Sequence, residues 1–350
     1  MKRVVTFLGI ILCTLIAGVY LLSIKPIISI GSFSDYVIKE KVLQAPAPPQ
    51  EKEAIVFVGD VMLARNVENI MRTYGYMYPF ASLPKLSAHS FLVGNFEASI
   101  PTVHVPTKSM TFAFSVNPLY IQGLQEYGFT HMSLANNHSY DFGVSGYKNA
   151  FTTLSEASLE PFGDQRAQAS STIRFLDVND ATVSLVGLYA VDVPPSQKEI
   201  QDLLTRAAAH SDVQVVYVHW GTEYELKHNS FQEKLAMALV DAGADVIIGH
   251  HPHVVQDIGI YKNVPIFYSL GNFIFDQYFS DEVQKGLALE LSITETDVLV
   301  KLVPITSIGS KSQSRMMAAS ERDAFLLSLA KRSDTELKQM IQTGEVKLLR

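Results

Sequence analysis

The sequence predicts a layered α/β domain that is preceded by one N-terminal transmembrane helix. Three observations support this prediction. The chain of 350 residues is 47% hydrophobic and 18% charged, which is enough apolar sequence for a large folded core. Short β-rich apolar runs alternate with helical segments from Ala54 onward, as in layered α/β folds. Residues 4–24 carry no charged side chain, and Lys2, Arg3 and Lys25 flank them.

The apolar run at 4–24 predicts a membrane anchor. A helix that rises about 1.5 Å per residue just spans a hydrocarbon core about 30 Å thick over this length. A cleaved signal peptide is the alternative, but its apolar region usually has only about 7–15 residues. The basic pair at the start marks the cytoplasmic end. We therefore expect a single-pass protein of the cell membrane whose C-terminal domain is extracytoplasmic.

Composition divides the chain into four parts. Residues 1–25 form the cytoplasmic start and the anchor. Residues 26–53 form a linker, because the stretch Ala45-Pro-Ala-Pro-Pro-Gln50 favours extended chain. The folded domain covers residues 54–308, and residues 309–350 form a polar tail with a predicted helix at 320–341.

The domain contains nine predicted strands and four predicted helices. The strands are 55–58, 91–93, 131–134, 182–188, 213–219, 246–248, 266–270, 287–293 and 298–303, and the helices are 118–127, 145–157, 197–209 and 231–242. The last helix has the clearest signature, with a capping box predicted from Ser230 and Glu233 and a stop at Gly243. The last two strands predict an antiparallel hairpin.

Charge and cysteine content exclude several kinds of protein. The net charge of −7 offers no broad basic face for a polynucleotide, so nucleic acid is not an expected partner. Residues 1–25 hold three basic and no acidic side chains, so the remainder carries −10. The single cysteine, Cys13, lies in the apolar run. Any metal in the domain must therefore be held by His, Asp, Glu or Asn.

Polar side chains follow six of the predicted strands. In α/β domains, functional groups collect where strands end and loops begin. Any one of these blocks alone is explained equally well as an ordinary turn. Six of them together, one with a His-Pro-His sequence, favour a site for a divalent ion such as Zn, Mn or Fe. These side chains are Asp60; Asn95 and Glu97; Asn136, Asn137, His138 and Asp141; His219, Trp220 and Glu223; His250, His251 and His253; and Asn272, Asp276 and Gln277.

These blocks resemble the capsule biosynthesis CapA family, also called the poly-γ-glutamate biosynthesis PgsA family, over about residues 54–305. The resemblance implies a four-layer α/β/β/α sandwich like that of the metallophosphoesterases. It also implies a membrane-attached role in making or exporting an anionic surface polymer. The blocks that carry it are Gly59-Asp60-Val-Met, Gly94-Asn95-Phe-Glu97, Leu134-Ala-Asn-Asn-His138, His219-Trp-Gly-Thr-Glu-Tyr224, Gly249-His-His-Pro-His-Val-Val-Gln256 and Tyr268-Ser-Leu-Gly-Asn-Phe-Ile-Phe-Asp-Gln277.

The resemblance also implies roles for single residues. The metal ligands would be Asp60, Glu97, Asn137, His219, His251 and His253. His138 would be the catalytic acid, with Asp141 or Glu97 orienting it. The first motif of the metallophosphoesterases is Asp-x-His, whereas this sequence has Asp60-x-Met62 at that position. One ligand is therefore missing, and the site would hold one or two ions.

A second group of polar side chains forms the predicted substrate pocket. For Trp220 a position in the core is an equal alternative. For Asn272, Asp276 and Gln277 the alternative is that they satisfy backbone groups of their loops. The group consists of Asn95, Asn136, Trp220, Glu223, His250, Asn272, Asp276 and Gln277.

Three functions remain open from the sequence. The first is an accessory role in polymer synthesis and export, with the lipid bilayer, other subunits of the complex and the anionic polymer as partners. The second is an exported metal-dependent hydrolase of a phosphoester or of a polymer amide. The third is a non-catalytic polymer-binding domain. The chain has no phosphate-binding loop of the Walker type, so an amide-forming ligase would be another protein.

Overall fold

The computed structural model describes residues 54–349, apart from 87–89, 109–110, 165, 167–171 and 295. The predicted anchor and linker at 1–53 lie outside these residues. Among the helices that are described, none combines the length and the apolar character needed to cross a bilayer.

Two sheets and seven α-helices make up the described part of the chain. The strands are β1 Ile55–Val61, β2 Phe91–Phe96, β3 His131–Ser133, β4 Glu160–Phe162, β5 Ile173–Val178, β6 Ala181–Ala190, β7 Val213–Trp220, β8 Val246–His250, β9 Ile258–Tyr261, β10 Val264–Phe267, β11 Asn272–Ile274, β12 Lys285–Ile293, β13 Asp297–Thr306, β14 Arg315–Met316 and β15 Glu345–Leu349. The helices are α1 Arg65–Tyr74, α2 Ile121–Tyr127, α3 Gly143–Glu156, α4 Gln197–Ala208, α5 Ser230–Asp241, α6 Ala319–Arg332 and α7 Lys338–Thr343.

The two sheets have different strand orders. The first sheet runs β14-β13-β12-β1-β2-β3-β4, with β11 also paired to β1 and β15 to β13. Its strands β1 to β4 are parallel, whereas β12 and β13 form the predicted antiparallel hairpin. The second sheet runs β5-β6-β7-β8-β10-β9, and its four central strands are parallel.

Alternating side chains on each strand enter different layers. On β1, Ile55 and Phe57 pack between the two sheets, whereas Val56 and Val58 pack against α1, α2 and α3. On β7, Val215 faces the first sheet and its neighbour on the strand faces α4 and α5. This alternation follows from the two-residue period of a strand. The predicted two-sheet α/β sandwich is confirmed, with a helical layer outside each sheet.

The segment 309–350 is less separate from the domain than the predicted boundary implies. Helices α6 and α7 occupy the region predicted to be helical, but β14 and β15 also add two strands to the first sheet. Phe325, Leu329 and Ile341 are buried in the core between the sheets. The tail therefore forms part of the same compact unit as the rest of the domain.

The capping prediction for α5 is shifted by one residue. The side chain of Asn229, not Ser230, accepts hydrogen bonds from the backbone N–H groups of Phe231 and Gln232. The Gln232 side chain accepts in return from the Asn229 N–H at 3.0 Å. Asparagine and glutamine complete this pattern as well as serine and glutamate do. The helix ends before Gly243, whose φ is +111°, as predicted.

The pair His228–Asp257 is expected to make stability depend on pH. The Asp257 carboxylate accepts from the His228 N–H and contacts its Nδ1, both at 2.9 Å. Partial burial lowers the pKa of His228, but Asp257 outweighs this effect and the pKa is raised overall. The stabilisation is complete below the unfolded pKa of about 6.5 and is lost as pH rises through the folded value.

We therefore expect His228→Gln to lower the free energy of unfolding by about 0.5–1 kcal/mol near pH 6, because the pair is partly exposed. The difference should shrink at high pH. Denaturant unfolding at a series of pH values measures it. The exposed His210→Gln serves as the control. A cost for His228→Gln that does not change with pH would contradict the prediction.

Candidate metal centre

The centre lies where strand ends of the two sheets meet. Strands β1 and β2 of the first sheet contribute Asp60 and Asn95, and Glu97 follows β2 directly. Strands β7 and β8 of the second sheet contribute His219 and His250. All five side chains are buried. Parallel strands bring their carboxyl ends to the same edge of a sheet, which explains why distant blocks of sequence converge here.

Carboxylate and imidazole atoms converge within this group. Asp60, Glu97 and His219 offer ligand atoms that all lie within 4.8 Å of one another. The Asp60 carboxylate is 3.4 Å from His250 Nδ1 and 3.3 Å from His253 Nδ1. Glu97 Oε1 is 3.5 Å from His253 Nε2. Mixed oxygen and imidazole ligands suit divalent ions of intermediate softness.

The hydrogen bonding of these groups tests whether a cation fits. Glu97 Oε1, His250 Nε2 and His251 Nδ1 are buried and have no hydrogen-bond partner. A buried polar atom that lacks a partner costs about 1–3 kcal/mol. A divalent cation bound to Glu97 would give its Oε1 atom the partner that it lacks. The donor set therefore fits a divalent metal, whose identity the residues leave open.

Asn136 fixes the orientation of the neighbouring amide. Its Oδ1 accepts from the backbone N–H of His138 at 3.1 Å, and its Nδ2 donates to the backbone oxygen of Phe96 at 2.9 Å. The same Nδ2 donates to Asn95 Oδ1 at 3.0 Å. Because backbone groups have fixed donor and acceptor roles, the Asn95 amide can point only one way.

Asn95 therefore presents its NH₂ group to the centre. Its Nδ2 lies 2.8 Å from Asp60 Oδ1 and 3.2 Å from His219 Nδ1. The Nδ1 atom of His219 must then accept, and its Nε2 carries the hydrogen that faces Asn137 Oδ1 at 2.9 Å. Burial and nearby histidines hold the pKa of His219 well below its ordinary value. The imidazole is therefore in the neutral form that binds metal, but a cation would have to replace one of these two hydrogen bonds.

Replacing the Asn95 amide by a carboxylate is expected to make folding depend on metal. Asn95→Asp would place a second carboxylate beside Asp60, and the buried pair would repel. We expect the chelator-treated variant to lose about 2–3 kcal/mol of stability. Added Mn²⁺ should stabilise the variant more than the parent, as measured by thermal unfolding.

The control for this change is Asn117→Asp. The Asn117 side chain caps a short helix, a role that aspartate fills equally well. Equal losses in the two variants, with no extra response of Asn95→Asp to metal, would contradict the prediction.

The charge states of the centre reflect burial and mutual attraction. Burial would raise the pKa of Asp60, but contacts with His250 and His253 hold it well below the usual range. Burial raises the pKa of Glu97 well above its usual value. The pKa of His253 is lowered by burial but raised to about 9 overall by Glu97 and Asp60. The metal-free centre thus holds a proton that a cation would displace.

His138 and Asp141 form a second pair beside these ligands. His138 Nδ1 lies 2.9 Å from Asp141 Oδ2, which also accepts from the Phe114 N–H at 2.6 Å. The Phe114 ring stacks on the imidazole with centroids 3.9 Å apart. His138 Nε2 is 3.9 Å from Glu97 Oε1. Asp141 thus orients the imidazole and leaves Nε2 on the side of the centre.

The loop after β8 has an unusual backbone. His251 and His253 have φ values of +94° and +58°, in the region that side chains other than glycine rarely adopt. Such conformations cost about 1–3 kcal/mol each and cluster at functional sites. Pro252 fixes the chain between them. The His251 N–H approaches Asp60 Oδ2 at 3.4 Å.

The structure distributes the predicted substrate residues among several places. Trp220 lies in the core between the second sheet and its helices, and its Nε1 donates to the backbone oxygen of Tyr268 at 2.9 Å. The core alternative thus describes its position. Glu223 is exposed. Asn95, Asn136 and His250 belong to the centre itself.

The other three predicted substrate residues lie on β11 and in the loop that follows it. Asn272 Oδ1 lies 3.0 Å from His253 Nδ1, so Asn272 orients that imidazole. Gln277 donates to the Tyr224 hydroxyl at 3.2 Å. Asp276 forms an ion pair with Arg65 and accepts from the Asn66 N–H at 3.1 Å. Asp276 thus bonds to the start of α1.

Two further positions near the centre are Arg65, which the sequence did not single out, and Met62, which replaces a ligand. The sequence interpretation gave no role to Arg65, and only its closeness to the Asp60 block could have signalled one. Met62 is buried in the core beneath α1, where its sulfur accepts from the Ala64 N–H at 3.0 Å. The residue at the missing ligand position therefore packs with the helical layer.

Comparisons with known proteins identify the family of this chain. The model of the family described as "Bacterial capsule synthesis protein PGA_cap" matches residues 54–277. The capsule biosynthesis protein CapA of Bacillus anthracis is 32% identical over 291 residues, which cover 74% of this chain and 69% of that one. The PGA biosynthesis protein CapA of Bacillus subtilis (strain 168) is 34% identical over 238 residues, 63% of either chain. The chain thus spans about two thirds of the length of these relatives.

A solved structure described as a novel phosphatase from Mycoplasma pneumoniae is similar to this chain, with a TM-score of 0.44 and 14% identity over 76% of this chain and 92% of that one. The residues that the family model matches include the blocks that form the buried centre. The chain belongs to the bacterial capsule synthesis family of CapA-type proteins.

Proposed function

We propose that this protein is a membrane-attached component of poly-γ-glutamate or related capsule synthesis and export, with a metal-dependent hydrolase site of the metallophosphoesterase type. The observation that carries the hydrolase proposal is the convergence of Asp60, Glu97 and His219 within 4.8 Å. Family membership supports the polymer class. The uncharged run at 4–24 supports attachment to the bilayer, with the domain outside the cytoplasm.

The residues of the centre divide into ligands and groups that position them. The ion would supply Lewis-acid activation of water and polarisation of the scissile bond. Asn95 holds the Asp60 carboxylate and the His219 imidazole in place through its NH₂ group. The ligands of one or two divalent ions (Mn, Zn or Fe) would be Asp60, Glu97, Asn137, His219, His251 and His253.

His138 is the proposed proton donor. Asp141 accepts at Nδ1, which leaves Nε2 free to hold a proton for the leaving group. The Phe114 N–H fixes Asp141 as an acceptor. A phosphoester is the preferred substrate bond, and a polymer amide is the alternative that the same residues would serve. The expected partners are the lipid bilayer, other subunits of the synthesis complex and the anionic polymer.

Metal analysis and turnover of the full chain in detergent test this proposal. We expect bound metal in the purified protein and hydrolysis of bis-p-nitrophenyl phosphate that depends on Mn²⁺ or Zn²⁺. His251→Ala should reduce both, with turnover falling about 100-fold or more. The exposed His210→Ala is the control. A metal-free parent protein that behaves like His251→Ala would contradict the hydrolase proposal.

A non-catalytic polymer-binding role is the second candidate. It is favoured by Met62, which packs in the core and offers no imidazole to the centre. This role predicts that a chelator abolishes neither polymer binding nor the polymer yield of cells. Cells that carry Asp60→Ala, with the protein still inserted, would lose surface polymer only if the centre is required.

A further inference from the structure

Arg65 is a buried cation beside the centre that the proposed mechanism does not use. The residue is only 9% exposed and begins helix α1. Its φ is +51°, in the left-handed region that a long side chain rarely adopts. Residues held in this conformation cluster at active sites and ligand clamps. The surrounding structure must therefore hold Arg65 in place.

Three groups hold the Arg65 side chain. Its Nη2 forms an ion pair with Asp276 Oδ1, and the other oxygen of that carboxylate accepts from the Asn66 N–H at 3.1 Å. The guanidinium carbon lies 4.6 Å from the centre of the Phe114 ring and 5.6 Å from that of Phe275. Arg65 Nε is buried and has no hydrogen-bond partner. The guanidinium is thus fixed while at least one of its donors is unused.

The two rings that contact Arg65 also contact imidazoles of the centre. Phe114 stacks on His138 with centroids 3.9 Å apart, and Phe275 lies 4.7 Å from His253. Each ring is therefore shared between the guanidinium and one of the predicted functional histidines. This arrangement places a permanent positive charge in the wall of the site.

We propose that Arg65 binds an oxyanion of the substrate, a phosphate or a carboxylate, beside the metal centre. The inference rests on the proposed function and names the substrate class of that site. A guanidinium matches planar and tetrahedral oxyanions with paired N–H donors. The protein carries a net charge of −7, so an anionic substrate requires local positive charge. In the anion-free protein the Asp276 carboxylate is the counter-ion of the guanidinium, for which an anionic substrate would compete.

Anion binding to the full chain in detergent tests this assignment. Calorimetric titrations use inorganic phosphate in one arm and glutamate in the other, each with the Mn²⁺-loaded and the chelator-treated protein. We expect Arg65→Gln to weaken binding of the recognised anion by about ten- to a hundredfold, whereas Arg65→Lys retains part of the affinity. The arm that responds identifies the source of the oxyanion. Metal content should stay unchanged in both variants.

Two further variants separate binding from a structural role. Asp276→Asn keeps the charge of Arg65 and releases it from its ion pair, so anion affinity should be retained or increased. Arg72→Gln, an exposed arginine of the same helix, is the control. Wild-type affinity in Arg65→Gln, or an equal loss in Asp276→Asn, would overturn the proposal, as would a parent protein that binds neither anion. A parent protein that binds an anion but no metal would refute the hydrolase proposal alone.

Discussion

Asp60→Asn is expected to abolish metal binding and to destabilise the metal-free protein. The Asp60 carboxylate is fully buried, accepts from Asn95 at 2.8 Å and faces His250 and His253. An asparagine keeps the shape but removes the charge that balances His253. We expect metal affinity to fall by more than about 100-fold, because loss of a ligand should exceed the effect of losing an outer contact. The free energy of unfolding should fall by about 3–5 kcal/mol.

Elemental analysis and denaturant unfolding measure these two effects. The matched control is Asp281→Asn, a change at an exposed aspartate beside a short helix, which should alter stability by less than about 0.5 kcal/mol. Restored stability on addition of metal to Asp60→Asn would show that the remaining ligands suffice. Unchanged metal content in that variant would refute the assignment of Asp60 as a ligand.

Gly59→Ala is expected to prevent normal folding of the centre. A Cβ at this position would lie 1.8 Å from the backbone oxygen of Gly271. That oxygen accepts from the Asp60 N–H at 3.0 Å, so the clash falls on the bond that joins β1 to the chain just before β11. Backbone atoms cannot move aside as a flexible side chain can. We expect a loss of about 4 kcal/mol or more.

Gly243→Ala is the control for this effect. Its new Cβ would meet no atom within 4 Å, although its φ of +111° disfavours a side chain. That backbone cost is about 1–2 kcal/mol. The yield of folded protein and the midpoint of chemical denaturation distinguish the two variants. Equal losses would mean that the close approach of Gly59 and Gly271 is unimportant.

The sequence predicted the layers well because local periodicity determines them. The strands at 213–219 and 287–293 match β7 and β12 to within two residues at each end. A buried apolar run that ends in polar residues is typical of a parallel strand that leads into a loop. Six strands were missed: β4, β5, β9, β11, β14 and β15. The positions of β9, β14 and β15, for example, depend on pairing with β10 and β13, which no local pattern reveals.

The site was predicted only in part, because the residues that position the ligands are held by contacts between segments far apart in the sequence. The convergence of Asp60, Glu97 and His219 follows from strand order and was anticipated. The pairing of Arg65 with Asp276 spans 211 positions in the sequence. An aspartate that follows a strand, such as Asp276, has the same sequence pattern whether it contacts substrate or caps a distant helix. The orientation of Asn95 depends likewise on Asn136, whose own amide is fixed by the backbone groups of Phe96 and His138.

The origin of the centre in both sheets has a consequence for folding kinetics. Asp60 comes from the first sheet, and the His251 N–H that approaches it comes from the second, 191 positions away. Contacts of such sequence separation form late, after the chain has paid the entropy of closing a long loop. Interactions that are absent from the transition state change the unfolding rate and leave the folding rate nearly unaltered. A bound ion should therefore lengthen the lifetime of the folded domain without hastening its formation.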